Sequence, residues 1–197
     1  MAYDHTEDPA VFNPEDLSSY VAVVFLLTGG DVLNESQQSA LEAFVADGGG
    51  WAGIHSAADT EFDWPFYGEL VGAQFRDHPA IQKASIDIIE FNHPSTRHLP
   101  RDWEPTDEWY NFRSDPTKKV NVLLSVDEST YSGGKMGDPH PIAWCHTRLG
   151  GHAWYTGMGH TEAIWKDAFF QGHVLGGINW SAKLGPGDCE LDGGPSL

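Results

Sequence analysis

Two pairs of polar residues lie just after segments that predict buried strands. His55 and Ser56 follow "GWAGI", and His160 and Glu162 follow "AWYTGM". Ligands of open parallel sheets bind beyond the carboxyl ends of the strands, so we expect both pairs at one edge of the sheet. An imidazole can transfer protons near neutral pH or bind a metal ion. We therefore predict His55 and His160 as catalytic groups and Ser56 as a substrate contact.

The residues around His55, "GIHSA", have the outline of a nucleophile elbow, a sharp strand-to-helix turn with small residues on both sides. Imidazole does not replace a thiolate as a lasting acyl carrier, so this pattern favours acid–base or metal chemistry. In the alternative, structural interpretation, His55 caps a helix or is hydrogen-bonded within a tight turn. Its position at a strand end favours the functional interpretation.

A third group of candidates lies in "TDEWYNFR", residues 106–113, within a long segment of little periodicity. Glu108 is predicted as a catalytic acid or base, or as a metal ligand. Trp109 and Tyr110 are predicted to stack on a sugar ring, because they present flat apolar faces with a polar rim. Arg113 is predicted to bind a carboxylate or hydroxyl groups of the substrate. The alternative is an aromatic cluster that only holds the loop in place.

Two further histidines each precede a proline, in "RDHP" and "DPHP". Because proline restricts the preceding residue to an extended backbone, His78 and His140 are expected to point in fixed directions. We predict His140 as a substrate contact. His78, His55 and His160 are the candidate ligands of a divalent metal such as zinc, although their dispersed spacing matches no standard metal motif.

The elements that must position these residues alternate between strands and helices. A βαβ unit is predicted near the start of the chain; it consists of a buried strand, a helix with a capping box at Asn34 and Gln37, and a second buried strand. This unit predicts an α/β fold with a mostly parallel sheet and helices on both faces. We predict one domain over residues 1–183 and a disordered, acidic, Gly/Pro-rich tail over 184–197. The predicted strands are 20–28, 50–56, 82–91, 120–126, 141–147 and 150–158, and the predicted helices follow Asn34, cover 65–71 and run from 167 to 182.

Composition narrows the class of partner. The chain has 197 residues and a net charge of −18, which argues against nucleic acid and anionic membranes as partners. It contains no apolar run of membrane-spanning length and no signal-peptide pattern, so the sequence predicts a cytoplasmic protein. Its two cysteines, Cys145 and Cys189, argue against a disulfide scaffold and a cysteine-built zinc site.

Several of these segments together resemble the ThuA-like, or trehalose-utilisation, family. They cover most of residues 6–182, and they are "GGGWAGIHSAADTEFDWPFYGELVGAQFRDHP", "HPSTRHLP", "DEWYNF", "DESTYSGGKMGDPHPIAWCH" and "AWYTGMGHTEAIW". The resemblance implies a flavodoxin-like fold of the class I glutamine amidotransferase-like superfamily. It places His55 at the position of the amidotransferase cysteine and makes 160–162 similar to the His-Pro-Glu of those enzymes. Glutamine hydrolysis through a thioester is therefore not expected.

The resemblance also indicates carbohydrate as the substrate class. It implies a further strand and helix ahead of the segment that begins near residue 6, so the chain is expected to lack the family's first strand and helix. An open strand edge can pair with another chain, and we therefore expect a homodimer or marginal stability.

The sequence therefore predicts an enzyme, a hydrolase or lyase, that acts on a sugar or ketoglycoside through histidine acid–base or metal-assisted chemistry. The alternative is a non-catalytic sugar-binding or regulatory module on an amidotransferase-like scaffold.

Overall fold

The computed structural model describes residues 2–187 and 189. Within them the chain forms four α-helices, which are α1 (Pro14–Leu17), α2 (Glu35–Ala46), α3 (Pro65–Val71) and α4 (Ala168–Ser181). Its ten strands are β1 (Ala22–Leu26), β2 (Gly50–Ile54), β3 (Phe75–Asp77), β4 (Gln82–Lys83), β5 (Ile86–Ile88), β6 (Thr106–Asp107), β7 (Asn111–Phe112), β8 (Asn121–Val126), β9 (Pro141–His146) and β10 (Ala153–Thr156).

Six strands form the central sheet in the order β1-β2-β10-β9-β8-β5. β1, β2 and β10 are parallel neighbours, whereas β9, β8 and β5 each run antiparallel to the strand before them in that order. Four of the six strands therefore run in one direction, and the predicted α/β fold with a mostly parallel sheet is confirmed. Two small two-stranded sheets, β3–β7 and β4–β6, hold the long segment between β5 and β8.

The predicted βαβ unit is present as β1, α2 and β2. The Asn34 side chain accepts hydrogen bonds from the amides of Ser36 and Gln37, and the Gln37 side chain accepts from the Asn34 amide, which completes the capping box. Leu41 and Val45 on α2 pack into the core. The predicted capping box is therefore confirmed.

The largest buried side chains are aromatic and lie on both faces of the central sheet. Trp51, Trp144 and Trp154 are fully buried on three neighbouring strands. A Cβ atom at Gly177 would lie 2.2 Å from the Trp154 ring, so only glycine lets α4 approach β10 this closely.

β1 lies at one edge of the central sheet, with β2 as its partner among the described residues. The predicted absence of a preceding family strand stays a prediction. At the carboxyl end of the chain, Cys189 forms a disulfide with Cys145 of β9. Of the predicted tail, 188 and 190–197 lie outside the described residues. In the part that the structure describes, no helix is long and apolar enough to cross a membrane.

Candidate functional site

His55 occupies the turn that leaves β2. It has a positive φ of 52°, a left-handed conformation that is uncommon for residues other than glycine, and it starts a short 3-10 helix. Its backbone carbonyl accepts a hydrogen bond of 2.8 Å from the Tyr155 hydroxyl. The elbow outline of "GIHSA" therefore corresponds to a sharp backbone turn that directs the imidazole past the end of the sheet.

The ring of His55 is fixed and buried. Its Nδ1–H donates to the Gly157 carbonyl at 2.8 Å, so the Nε2 lone pair faces away from the sheet. The ring lies 4.2 Å from the ring of Tyr110. Burial lowers the pKa of His55 to about 4, against the opposing effects of the Gly157 carbonyl and Glu108. His55 is therefore neutral at pH 7 and presents a free Nε2.

Four side chains meet at this point. His55 Nε2 lies 3.2 Å from His160 Nδ1 and 3.3 Å from Glu108 Oε2. Glu108 Oε2 lies 3.5 Å from His160 Nδ1, and Glu108 Oε1 lies 3.1 Å from His78 Nδ1. The structure thus brings together all three residues predicted as catalytic and the third predicted metal ligand. We call these four residues the His–Glu cluster.

Strand register explains why His55 and His160 meet. β2 and β10 are parallel, and their last residues, Ile54 and Thr156, are paired. The chain leaves both strands at the same level, and a glycine turn after β10 then places His160 beside His55. Glu162 is exposed, and the carboxylate that meets His160 belongs to Glu108.

Asp107 is a residue beside the cluster that sequence analysis did not single out. Its fully buried carboxylate accepts hydrogen bonds from the amides of Gly159 at 2.7 Å and Thr161 at 3.0 Å, on either side of His160. Burial raises the pKa of Asp107 in spite of these hydrogen bonds. The signal in the sequence was its position directly before Glu108. Glu108 belongs to the cluster, and Asp107 holds the loop that carries His160.

Two residues predicted to touch substrate are buried instead. Trp109 is fully buried and donates its indole N–H to the Gln82 carbonyl, so it has no face to offer a sugar. His140 is also fully buried, and its ring bonds the Tyr110 carbonyl and the Tyr131 hydroxyl, each at 2.8 Å. Both residues adjoin the cluster, because Trp109 directly follows Glu108 and His140 bonds the carbonyl of Tyr110, whose ring packs on His55.

The other predicted substrate contacts differ in exposure, and Tyr110 is buried as well. Tyr110 is 4% exposed and packs against His55, and burial raises its pKa. Arg113 is exposed, with its guanidinium 4.0 Å from the centre of the Phe62 ring. Ser56 is half-buried directly after His55. Their roles as substrate contacts stay predictions.

The cluster also has the makeup of a cation site. His55, Glu108 and His160 each offer one ligand atom, and these atoms all lie within 4.8 Å of one another.

A groove of about 440 Å³ lies elsewhere, between α1 and α2, and it borders Gly48 and Gly49 at the opposite end of β2. It is therefore separate from the cluster.

Fold and site together define an α/β protein of flavodoxin-like architecture with a His–Glu cluster where its parallel strands end. The sequence profile of the ThuA family, described as trehalose utilisation, matches residues 1–181. The chain belongs to this family, as the sequence resemblance indicated. No curated protein matches it.

Solved structures support the same fold. A ThuA-like protein from Bacteroides uniformis is 24% identical, with a TM-score of 0.77 over 89% of this chain and 75% of its own. A ThuA-like protein from Parabacteroides merdae is 21% identical, with a TM-score of 0.72 over 92% and 77%. A β-galactosidase from Rahnella sp. R3 is 16% identical, with a TM-score of 0.56 over 86% of this chain and 24% of its own.

Proposed function

We propose that this chain is an enzyme that acts on a sugar or ketoglycoside by elimination or hydrolysis, with His55, His160 and Glu108 as the reacting groups. The observation that carries the proposal is the convergence of their three polar atoms within 3.2–3.5 Å. Two of the side chains are buried, whereas that of His160 is 44% exposed. A substrate can therefore approach from one side, while the other side keeps the groups oriented.

The cluster offers an unprotonated nitrogen that can accept a proton. Burial lowers the pKa of His55 to about 4, which leaves Nε2 unprotonated at neutral pH, and the Glu108 carboxylate 3.3 Å away opposes this shift and so strengthens His55 as a base. A keto group acidifies the hydrogen on the neighbouring carbon. A base can remove that proton, the electron pair then forms a carbon–carbon double bond, and the adjacent C–O bond breaks. The departing oxygen takes a proton from an acid, a role that the exposed His160 can fill. This sequence needs no covalent enzyme intermediate.

Amidotransferase chemistry is disfavoured by the positions of the cysteines. His55 occupies the elbow, and the structure joins Cys145 and Cys189 in a disulfide. Neither sulfur is therefore available as a thiolate nucleophile. The family description, trehalose utilisation, supports a carbohydrate as the substrate.

Turnover of keto-disaccharides, with oxidised trehalose among them, tests the proposal. We expect His55→Ala, His160→Ala and Glu108→Gln to abolish turnover while circular dichroism shows an intact fold. Glu162→Gln is the matched control, because Glu162 is an exposed carboxylate two residues from His160. Full activity in Glu108→Gln or His55→Ala would refute the proposal. Binding of the sugar without turnover by the unaltered chain would support the non-catalytic alternative.

The cytoplasmic location also stays a prediction, and one observation weighs against it. The Cys145–Cys189 disulfide is of a kind that persists mainly in oxidising compartments. Thiol titration of the unfolded protein, after expression in a reducing cytoplasm and in a periplasm, would show where the bond forms. Two free thiols in both preparations would remove this objection to a cytoplasmic location.

A further inference from the structure

We infer that His55, Glu108 and His160 form a three-ligand site for a divalent cation of the zinc class, and that His78 holds the Glu108 carboxylate in place from outside. The inference rests on the cluster of the proposed function and deepens it by naming its metal-assisted form: with the ion bound, His55 Nε2 would be a ligand and would not act as the base. It can nevertheless be tested by metal binding alone, without any substrate.

The distances between the ligand atoms fit zinc. A tetrahedral ion with bonds of about 2.0–2.1 Å separates its ligand atoms by about 3.3–3.4 Å. The three separations in the cluster are 3.2, 3.3 and 3.5 Å. An octahedral ion with bonds of the same length, such as Mg²⁺, would need adjacent ligand atoms only about 2.8–3.0 Å apart. Two imidazole nitrogens and one carboxylate oxygen also suit zinc and leave its fourth position open.

The orientation of the groups points the same way. The hydrogen bond from His55 Nδ1–H to the Gly157 carbonyl turns Nε2 outward, where His160 Nδ1 lies at 3.2 Å and Glu108 Oε2 at 3.3 Å. A backbone carbonyl behind a ligating histidine is the usual device that fixes its tautomer in metal sites. Without a positive charge between them, the acceptors His55 Nε2 and Glu108 Oε2 would repel each other. The N–H of His160 can donate a hydrogen bond of good geometry to only one of these acceptors, whereas a cation can be bound by all three ligand atoms at once.

His78 lies on the outer side of the carboxylate. Its Nδ1 lies 3.1 Å from Glu108 Oε1, the oxygen that faces away from the other two histidines, and 2.9 Å from the carbonyl oxygen of Pro79. This contact keeps Oε2 turned toward His55 and His160, so Glu108 offers a single oxygen to the ion. His78 was a candidate ligand from sequence, but this placement makes it a positioning residue.

The backbone holds His78 in position. It directly follows β3, whose Asp77 carboxylate accepts hydrogen bonds from the Asn111 amide group at 2.8 Å and from Lys135 Nζ at 2.9 Å. Its ring stacks over that of Tyr110, with 6.1 Å between the ring centres. The side chain is 41% exposed, so it can be replaced without disturbing the core.

Metal titration tests both parts of the inference. Protein without a histidine tag is stripped with a chelator, and Co²⁺ and then Zn²⁺ are titrated, with the visible absorption of Co²⁺ reporting its coordination. We expect one equivalent to bind with a tetrahedral-type spectrum. His55→Ala, Glu108→Gln and His160→Ala should each weaken binding more than any change at His78, and Glu162→Gln should not affect it.

The His78 variants separate positioning from ligation. Loss of an outer partner of a ligand typically weakens metal binding by about 10–100-fold, and we expect His78→Ala to fall in that range. His78→Asn keeps an N–H donor near the Nδ1 position and should recover most of the affinity. An unchanged affinity in His78→Ala would refute the positioning role, and failure of the unaltered chain to bind Co²⁺ or Zn²⁺ would refute the site.

The two proposals can fail separately. If chelator-stripped protein binds no metal but still converts keto-disaccharides, the cation site is refuted and the proposed function stands. If one equivalent of metal binds as expected but no keto-sugar is converted, the site stands and the proposed function fails.

Discussion

Removal of the Asp107 carboxylate should damage the fold and the His–Glu cluster together. That carboxylate accepts hydrogen bonds from the amides of Gly159 and Thr161, and its side chain is fully buried. A buried donor left without a partner costs about 1–3 kcal/mol. Asp107→Ala leaves two such donors without a partner, so we expect it to lower the free energy of unfolding by about 2–6 kcal/mol. That is a large share of the roughly 5–15 kcal/mol of a typical domain.

Asp107→Asn should be milder. Burial raises the pKa of Asp107, so part of the energy of its hydrogen bonds only offsets the desolvation of a charge. Asparagine removes that charge, keeps the shape and retains one acceptor oxygen. We expect a loss of about 1–3 kcal/mol, smaller than that of Asp107→Ala.

Urea unfolding followed by circular dichroism measures these losses, and Co²⁺ affinity reports the position of His160. Asp127→Asn is the control, because the carboxylate of the half-buried Asp127 also accepts a backbone amide, that of Ser129 at 2.8 Å, in a hydrogen bond exposed to solvent. It should leave both stability and affinity unchanged. If Asp107→Ala unfolds within about 0.5 kcal/mol of the unaltered chain, the reasoning is refuted. If stability falls but Co²⁺ affinity holds, Asp107 does not position His160.

Three further outcomes follow from charge and burial. Burial lowers the pKa of His93 and His146 from 6.5 to about 4 and that of His173 to about 3. Below pH 6.5 the unfolded chain therefore binds more protons than the native chain, and the free energy of unfolding should fall by about 1–2 kcal/mol per histidine between pH 6.5 and 5. A urea midpoint that stays constant over that interval would contradict this. The net charge of −18 should make 1 M NaCl raise the thermal midpoint above that in 20 mM NaCl, and a lower midpoint would count against charge repulsion. Residues 18–30, which contain the edge strand β1, include no charged residue, so β1 should pair with the same strand of a second chain. Light scattering should therefore show a dimer for the unaltered chain and a monomer for Val24→Lys. A monomeric unaltered chain would contradict this pairing.

The elements that sequence analysis placed well are those whose signals are local. The capping box before α2 involves residues three apart, and α3 covers 65–71 as predicted. The meeting of His55 and His160 was also within reach, because parallel strands end at the same edge. These predictions needed only periodicity and one rule of sheet topology.

The pairing of strands could not be predicted from local sequence. The predicted strand 82–91 is divided, since β4 pairs with β6 whereas β5 pairs with β8. Which strand lies beside a segment depends on residues far away in the chain, so alternation alone could not show the division. The burial of Trp109 has the same origin, because its indole partner is the Gln82 carbonyl of β4.

The cluster is assembled from strand ends of two kinds. His55, Glu108 and His78 each directly follow the last residue of a strand, and His160 follows β10 after a short glycine turn. β2 and β10 belong to the central sheet, whereas the strands before Glu108 and His78 belong to the two small sheets. The four residues therefore depend on different parts of the fold. His55 and His160 follow strands of the central sheet, whereas Glu108 lies between the two-residue strands β6 and β7, with the buried Asp107 and Trp109 on either side. A cation bound by His55, Glu108 and His160 would therefore join the central sheet to the small sheets and stabilise the folded chain.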